Sequence, residues 1–302
     1  MHMQRPTIIT LSSIPPRFDR IGPTLEAMLA QNVPAAGVWL YIPHSYRRFP
    51  EWDGTLPAVP AGVTIKRCDD LGPATKILPA CRELAGQDVD ILFGDDDKRY
   101  DRDWHGRFKS CRATHPDYCI VEAGETLPDI AASSRDPSRL PRAARWTRKP
   151  LSYRIKRLLS GFRMKSSIYA KSGFVDILNG HGGVMVKPDW FGPGAYDIPN
   201  VIWTVDDPWL SGNLEKAGIP IWLNAGVVRI DSFDVGDVHS LLQFSDEGHG
   251  RIAADIAAID YLRTTYGIWT PAGPVAPITG CMSKTMQEIA RRGQPQPVIK
   301  TS

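Results

Sequence analysis

The chain has 302 residues, of which 42% are hydrophobic and 23% are charged. This composition is typical of a globular protein with a sizeable core and excludes a disordered or fibrous chain. The formal net charge of +3 is too small to indicate nucleic-acid binding, so no nucleic-acid partner is expected. The five cysteines lack CxxC spacing, which argues against zinc and favours a reducing, cytoplasmic setting. With no secretory pattern and no run of about 18 apolar residues, neither export nor membrane spanning is expected.

Strands and helices alternate in the first third of the chain. Apolar and alternating runs predict strands at 7–12, 37–43, 62–68 and 89–94, and amphipathic stretches predict helices at about 21–31 and 75–84. This alternation predicts an α/β fold with a mostly parallel central sheet flanked by helices. In such sheets, ligands bind at the carboxyl ends of the strands.

Three consecutive aspartates, Asp95, Asp96 and Asp97, follow the predicted strand at 89–94. Like charges at a strand end repel one another unless a cation lies among them. Mg²⁺ and Mn²⁺ prefer oxygen ligands, commonly one or two carboxylates together with substrate phosphates. The run therefore indicates a metal-bound diphosphate, and the alternative is a solvated acidic turn.

Two other strand ends carry polar residues, in the segments SSIPPR (12–17) and DDLGPATK (69–76). Together with GDDD (94–97), they resemble the nucleotide-binding half of the GT-A type glycosyltransferases, whose fold is Rossmann-like and whose motif is DxD. The resemblance implies that Asp95 and Asp97 match the two motif aspartates and Asp96 the central position. It further implies a Mn²⁺ or Mg²⁺ cofactor with Asp97 as the main direct ligand, and a first-strand loop, including Ser12, that cradles base and ribose.

Three further residues are candidates for nucleotide binding. Lys76 is expected to reach the phosphates, and Arg17 the base or the phosphates. The alternative for both is a solvated cation. Asp70 either accepts a hydrogen bond from base or ribose, or caps the following turn.

The composition changes in the second half, where residues 126–168 are rich in Arg, Lys, Pro and Ser, and Asp136 is the only acid within 135–165. This basic insertion is expected to close over the donor, or to meet an acidic or lipid-linked acceptor by peripheral contact with the inner face of a membrane. The alternative is a solvated excursion between two structural halves.

An acidic pair, Asp206 and Asp207, precedes a predicted helix that ends at Gly218. Capping of the helix explains one of the two carboxylates. The segment from the glycine-rich turn GHGG (180–183) to VDDPWLSG (205–212) also resembles the acceptor region of the same family. By that resemblance Asp207, with Asp206 as the fallback, is the general base that deprotonates the acceptor hydroxyl. Trp203 and Trp209 either stack on a sugar or belong to the core.

Relatives of this kind often carry a third metal ligand, a histidine, after the acidic pair. His239 has a suitable position, and imidazole is a good Mn²⁺ ligand. His249 competes for this role, whereas His181 in the glycine-rich turn is expected to face the acceptor. Each of these histidines is otherwise a hydrogen-bonded residue without a functional role.

The predicted organisation is one large domain with a nucleotide-sugar-binding half (1–125), the basic insertion (126–168), an acceptor-binding half (169–245) and a helical or irregular tail (246–302). The predicted function is metal-dependent transfer of a sugar, from a UDP-sugar by family habit, to a hydroxyl of a glycan or glycolipid. Inversion is favoured, and bacterial surface polysaccharide synthesis is the expected setting. The alternatives are a sugar-phosphate nucleotidyltransferase, disfavoured because SSIPPR contains no glycine, and an inactive glycan-binding protein.

Overall fold

A computed structural model describes residues 5–147, 149–161, 167–226, 230–233 and 250–294. Its centre is one eight-stranded sheet. The strands of this sheet are β1 (Thr7–Ser12), β2 (Gly37–Pro43), β3 (Val63–Cys68), β4 (Asp90–Phe93), β5 (Cys119–Val121), β6 (Gly173–Val175), β7 (Val184–Val186) and β8 (Ile221–Leu223).

The order of the strands across the sheet is β6-β8-β5-β7-β4-β1-β2-β3. β1 pairs in parallel with β2 and β4, and β2 with β3. β7 is antiparallel to both β4 and β5, so β5 runs in the same direction as β4, and β8 is parallel to β5. Only β7 and β6 run in the opposite direction. The predicted α/β fold with a mostly parallel sheet is confirmed.

Seven helices accompany the sheet in the part of the chain that is described. They are α1 (Gly22–Leu29), α2 (Leu78–Glu83), α3 (Trp104–Thr114), α4 (Leu151–Leu159), α5 (Asp207–Lys216), α6 (Arg251–Tyr266) and α7 (Lys284–Gly293). α2 begins later than the sequence predicts, because residues Gly72–Lys76 form a 3₁₀ turn. Pro79 then lies in the first turn of α2, where its missing N–H costs no helical hydrogen bond.

Both faces of the sheet are buried, as the apolar strand sequences require. Side chains alternate along β1: Ile8 packs with α2 and α5 on one face, and Ile9 packs with α1 and α3 on the other. Full burial of a side chain such as Ile9 stabilises the fold by about 1.5–3 kcal/mol. The sheet is therefore a rigid support for the loops at its carboxyl edge.

A third apolar cluster joins α5, α6 and α7 and includes Trp209, Ile259 and Met286. Helix α7, in the tail predicted to be helical or irregular, is thus docked on the body of the protein. The longer helix α6 is not part of the sequence prediction. Its buried residues Ala254, Ala258 and Leu262 are four positions apart, and it is followed by Gly267, whose φ of 65° is the left-handed conformation typical of a helix stop. None of the helices in the described ranges has the length and apolar character needed to cross a membrane.

The basic insertion is mostly irregular. It contains two 3₁₀ turns, Ala132–Ser134 and Pro137–Arg139, before α4. Three short antiparallel pairs stand outside the main sheet: Gly124–Glu125 with Ile177–Leu178, Lys98–Arg99 with Asp231–Ser232, and Ala144–Arg145 with Tyr169–Lys171. The last of these pairs ties the insertion to the chain that enters β6.

Candidate active site

The loops that follow β1, β3 and β4 converge at the carboxyl edge of the sheet, where they line a cavity of about 1160 Å³. Nine of the side chains predicted from the sequence line this cavity: Ser12, Arg17, Asp70, Lys76, Asp95, Asp96, Asp97, Asp206 and Asp207. His181 also lines it. His239 and His249 lie outside the described residues. One cavity thus brings together strand ends that are far apart in the sequence.

Asp96 joins the loop after β1 to the loop after β4. Its carboxylate accepts hydrogen bonds from Ser13 Oγ and from an Arg17 guanidinium N–H, each at 2.6 Å. Thr24 Oγ1 donates to its carbonyl oxygen at 2.9 Å. Burial raises the pKa of Asp96, and the Arg17 guanidinium opposes this rise. The geometry therefore gives Asp96 and Arg17 a part in holding the two loops together.

Asp70 shapes the loop after β3. One carboxylate oxygen accepts the backbone N–H of Gly72 at 2.9 Å, and the other accepts the backbone N–H of Arg47 at 2.8 Å. This arrangement matches the capping alternative for Asp70. Gly72 has a φ of 60°, and a Cβ at this position would lie 2.6 Å from the carbonyl oxygen of Trp203. Only glycine fits this turn without displacing Trp203.

Lys76 is the buried cation of the site, with 7% of the residue exposed. Its Nζ lies 2.7 Å from Oδ1 of Asp95 and 2.8 Å from Oδ2 of Asp206. Burial disfavours the ammonium form, but Asp206, Asp95 and Asp207 outweigh burial and hold the pKa of Lys76 well above its usual value. Burial likewise opposes ionisation of Asp95, yet Lys76 keeps the pKa of this carboxyl below its usual range. One ammonium thus links the loop after β4 to the start of α5.

The two members of the acidic pair differ in their surroundings. Asp206 stands at the N-cap position of α5, but its side chain makes no capping hydrogen bond. Asp207 Oδ1 accepts the backbone N–H of Gly180 at 2.9 Å, and its Oδ2 lies 3.6 Å from an Arg251 nitrogen. Burial and the neighbouring Asp206 raise the pKa of Asp207 to about 8. Asp207 thus titrates near neutral pH, where a general base is most effective.

Gly180 permits the close approach of these groups. A Cβ at this position would lie 2.7 Å from Lys76 Nζ and 3.4 Å from Asp207 Oδ1. Next to it, burial lowers the pKa of His181 to about 4, against the opposing influence of Asp95. His181 is therefore neutral at physiological pH. The glycine-rich turn contributes one backbone donor and one neutral imidazole.

Asp95 and Asp97 offer two carboxylates for a metal ion. Asp97 and Asp95 both line the cavity, and Asp97 Oδ1 lies 2.8 Å from Lys98 Nζ. Within the described ranges, no group of three or more His, Cys, Asp or Glu side chains is arranged to hold a metal ion. Mg²⁺ needs only one or two carboxylates when phosphate oxygens and water complete its shell. The donor set fits an ion that binds together with a diphosphate.

Helices α6 and α7 form a wall of the cavity that the sequence analysis does not identify. Asp255 Oδ2 accepts a hydrogen bond from Thr285 Oγ1 at 3.0 Å, and Glu125 Oε2 accepts one from Ser283 Oγ at 2.8 Å. Burial raises the pKa of Asp255 to about 6, against the opposing Arg251. The long apolar run of α6 and the glycine that follows it are the signals that indicate this helix in the sequence.

The two tryptophans near the acidic pair have different environments. Trp203 lines the cavity, and the guanidinium carbon of Arg47 lies 4.9 Å from the centre of its ring. Trp209 is 1% exposed, and its Nε1 donates to the carbonyl oxygen of Ala195 at 2.8 Å. Stacking of Trp209 on a sugar is therefore excluded, because this ring is part of the core.

The solved structures to which this chain is similar include two distant likenesses. The crystal structure of S. aureus TarS 1-349 is 10% identical, with a TM-score of 0.41 over 87% of this chain and 72% of that chain. The crystal structure of GalNAc-T7 with UDP, GalNAc and Mn2+ is 11% identical, with a TM-score of 0.47 over 97% of this chain and 55% of that chain. This chain thus spans little more than half of the second protein. No protein-family model and no curated protein sequence matches it.

Proposed function

We propose that this chain is a metal-dependent glycosyltransferase of the GT-A type. It transfers a sugar, with inversion, from a nucleoside diphosphate donor to a hydroxyl group of a glycan or glycolipid. The observation that carries this proposal is that Asp207, a carboxyl with a raised pKa, and Lys76, a buried ammonium, face the same cavity at the carboxyl ends of the strands. The cavity thus holds both a base for the acceptor and positive charge for the leaving group.

The donor side is the part of the cavity formed by the loops after β1, β3 and β4. Lys76, Lys98 and Arg48 line the cavity, and their positive charges suit a diphosphate. Phe49, which follows β2, also lines the cavity, and aromatic rings stack on nucleobases. UDP is the nucleotide that the resemblance in the loop sequences implies. Residues 1–125 are accordingly the nucleotide-sugar-binding half of this proposal.

Asp95 and Asp97 are the side chains that would hold Mn²⁺ or Mg²⁺. When bound, such an ion would neutralise the negative charge that develops on the departing diphosphate. Lys76 supplies part of the same neutralisation from the protein itself. Asp96 keeps the loop after β4 in place through Ser13 and Arg17.

Asp207 is the proposed general base. The acceptor oxygen attacks the anomeric carbon, the bond from that carbon to the diphosphate oxygen breaks, and the acceptor proton moves to Asp207. The Gly180 N–H fixes Oδ1 of Asp207, which sets the orientation of the carboxylate. A single base opposite the departing diphosphate leads to inversion. Asp206 has a different part, because its charge is balanced by Lys76 at 2.8 Å.

The wall made by α6 and α7 is the proposed acceptor side. Glu125, Asp255 and Ser283 offer hydrogen-bonding groups, and Ile252, which is 39% exposed, offers apolar surface. Such a mixed surface suits the hydroxyl groups and ring faces of a sugar. The acceptor region thus extends from residues 169–245 into the tail. A bacterial surface polysaccharide or lipid-linked glycan is the acceptor class that we infer, with peripheral membrane contact through the basic insertion.

Calorimetry with UDP and GDP, with and without Mn²⁺, tests the donor site. We expect metal-dependent binding of UDP by the wild type and loss of that binding in Asp97→Ala. Asp53→Asn is the matched control, because Asp53 is exposed and lies outside the residues that line the cavity. A folded wild type that binds neither nucleotide would contradict the proposal.

Turnover of a UDP-sugar tests the base. We expect Asp207→Asn to keep metal-dependent UDP binding and to lose about 10²–10⁴-fold in rate, the usual contribution of a general base. Unchanged turnover in this variant would remove Asp207 from the reaction. A folded wild type that fails to bind nucleotide in the presence of Mn²⁺ would favour the glycan-binding alternative.

A further inference from the structure

Helix α4 presents an apolar face to solvent. Leu151, Ile155, Leu158 and Leu159 are 68%, 48%, 63% and 82% exposed. Because these positions are spaced by four, three and one residues, they share one side of the helix. The apolar stripe is therefore largely uncovered by the described part of the chain.

This concentration is unusual within the molecule. In the described part of the chain, twelve large hydrophobic side chains are exposed, and four of them belong to the nine residues of α4. Single exposed apolar residues are normal on a protein surface, whereas a contiguous group marks a contact site. The group on α4 therefore indicates a binding surface.

The charge of the surrounding sequence identifies the partner. Residues 148–165 contain seven lysines and arginines and no aspartate or glutamate. A helix with an apolar stripe in such a basic segment has the composition of helices that lie in the interface of a bilayer. Anionic lipid headgroups complement the basic residues, and the acyl boundary takes up the apolar stripe.

The segment before α4 adds a further interfacial feature. Lys149 Nζ lies 5.0 Å from the ring centre of Trp146 and 4.9 Å from that of Tyr153. Trp146 Nε1 donates to Ser167 Oγ at 3.2 Å, which fixes the start of the segment to its end. Tryptophan and tyrosine beside a basic residue are typical of the headgroup level of a membrane. The base of α4 is thus anchored while its apolar stripe faces outward.

We propose that α4 binds the surface of a bilayer that contains anionic lipids and holds the protein there as a peripheral protein. Arg145, just before this segment, lies 3.1 Å from Glu125, which lines the acceptor side of the cavity. The bound helix would therefore place the acceptor side near the lipid surface. This last point, access to a lipid-linked acceptor, rests on the proposed function, whereas binding to lipid does not.

Co-flotation with vesicles tests the proposal. The full chain is mixed with vesicles of phosphatidylcholine alone, or of phosphatidylcholine with phosphatidylglycerol, at low and high salt. We expect flotation only with phosphatidylglycerol and less of it at high salt, because the electrostatic attraction is screened. Leu158→Ser/Leu159→Ser should lower binding by at least about tenfold, since two exposed apolar groups are lost.

Val201→Ser is the matched control, since Val201 is 61% exposed and lies outside α4. It should float as the wild type does. Arg154→Gln/Lys156→Gln should weaken binding and flatten its salt dependence. All variants should keep the wild-type melting temperature, which shows that lost flotation does not come from unfolding.

Three results would overturn the proposal. The first is a wild type that stays in solution with anionic vesicles, and the second is a Leu158→Ser/Leu159→Ser variant that floats as well as the wild type. The third is a wild-type dimer that this double variant converts to a monomer without any vesicle binding, since a second copy then covers the stripe. Calorimetry of UDP binding on the same samples separates failure of this proposal from failure of the proposed function. A chain that floats with the vesicles but binds no nucleotide refutes the proposed function and leaves lipid binding by α4 intact.

Discussion

Replacement of Lys76 by methionine tests the electrostatic centre of the cavity. Methionine keeps much of the apolar stem but removes the ammonium that lies 2.7 Å from Asp95 and 2.8 Å from Asp206. Loss of one partner from a buried ion pair costs about 3–5 kcal/mol, because the remaining charge is buried without compensation. The Asp206 side chain is 7% exposed and that of Asp95 is 29% exposed, so part of the cost is relieved by solvent. We expect the free energy of unfolding to fall by about 3 kcal/mol at pH 7.

Lys66→Met is the matched control for this experiment. Lys66 Nζ lies 2.6 Å from Glu83 Oε1, but the two side chains are 29% and 41% exposed. Solvent-exposed ion pairs of this kind contribute about 0–1 kcal/mol. Urea denaturation followed by circular dichroism gives both differences from the same measurement.

The pH dependence of the Lys76→Met effect adds a second test. The pKa of Asp95 is depressed in the folded state, so its stabilising effect is complete above its unfolded pKa of about 3.9 and is lost as pH falls towards the folded value. The difference between wild type and Lys76→Met should therefore shrink as pH falls below about 4. A cost no larger than that of Lys66→Met, or a cost independent of pH in this range, would refute the reasoning.

Three further predictions concern the two sides of the cavity. Asp207→Asn should raise the melting temperature at pH 7. The folded pKa of about 8 means that ionisation of Asp207 opposes folding as pH rises above about 3.9. For the same reason, kcat/KM of the wild type should rise with pH up to about 8. Gly180→Ala should lower turnover at least about tenfold with little loss of stability, because the new Cβ displaces only the flexible end of Lys76. Gly192→Ala is the control, since a Cβ at this position has no atom within 4 Å. It should change neither turnover nor stability. Asp255→Asn should raise KM for the acceptor and leave the Kd for UDP unchanged in calorimetry; a raised Kd for UDP would place Asp255 on the donor side.

The sequence predicts which strand ends meet at the cavity, for a physical reason. Ser12 ends a strand and Asp70 and Asp95 each follow one, and the carboxyl ends of parallel strands meet at one edge of a sheet. Local patterns of apolar and polar residues are therefore enough to group these residues. The start of α5 at Asp207 is likewise a local signal, given by an acidic pair and a proline in the first turn.

Long-range pairing is the part that local patterns do not predict. Lys76 and Asp206 are 130 positions apart in the sequence, and nothing near either residue indicates the other. The hydrogen bonds of Asp96 to the first-strand loop, and the place of α6 beside Asp207, depend in the same way on tertiary packing. The roles assigned to the individual residues stay predictions, as does the metal-binding role of His239.

The shared position of Lys76 has a consequence for the order of events. A single ammonium balances Asp95 on one side of the cavity and Asp206 on the other. In the proposed reaction, an arriving diphosphate would compete with both carboxylates for that ammonium, and any shift of Lys76 towards it would leave more negative charge beside Asp207. The proposed function therefore implies that the basicity of Asp207 is coupled to binding of the nucleotide. It also implies an ordered sequence in which the nucleotide sugar binds before the acceptor loses its proton.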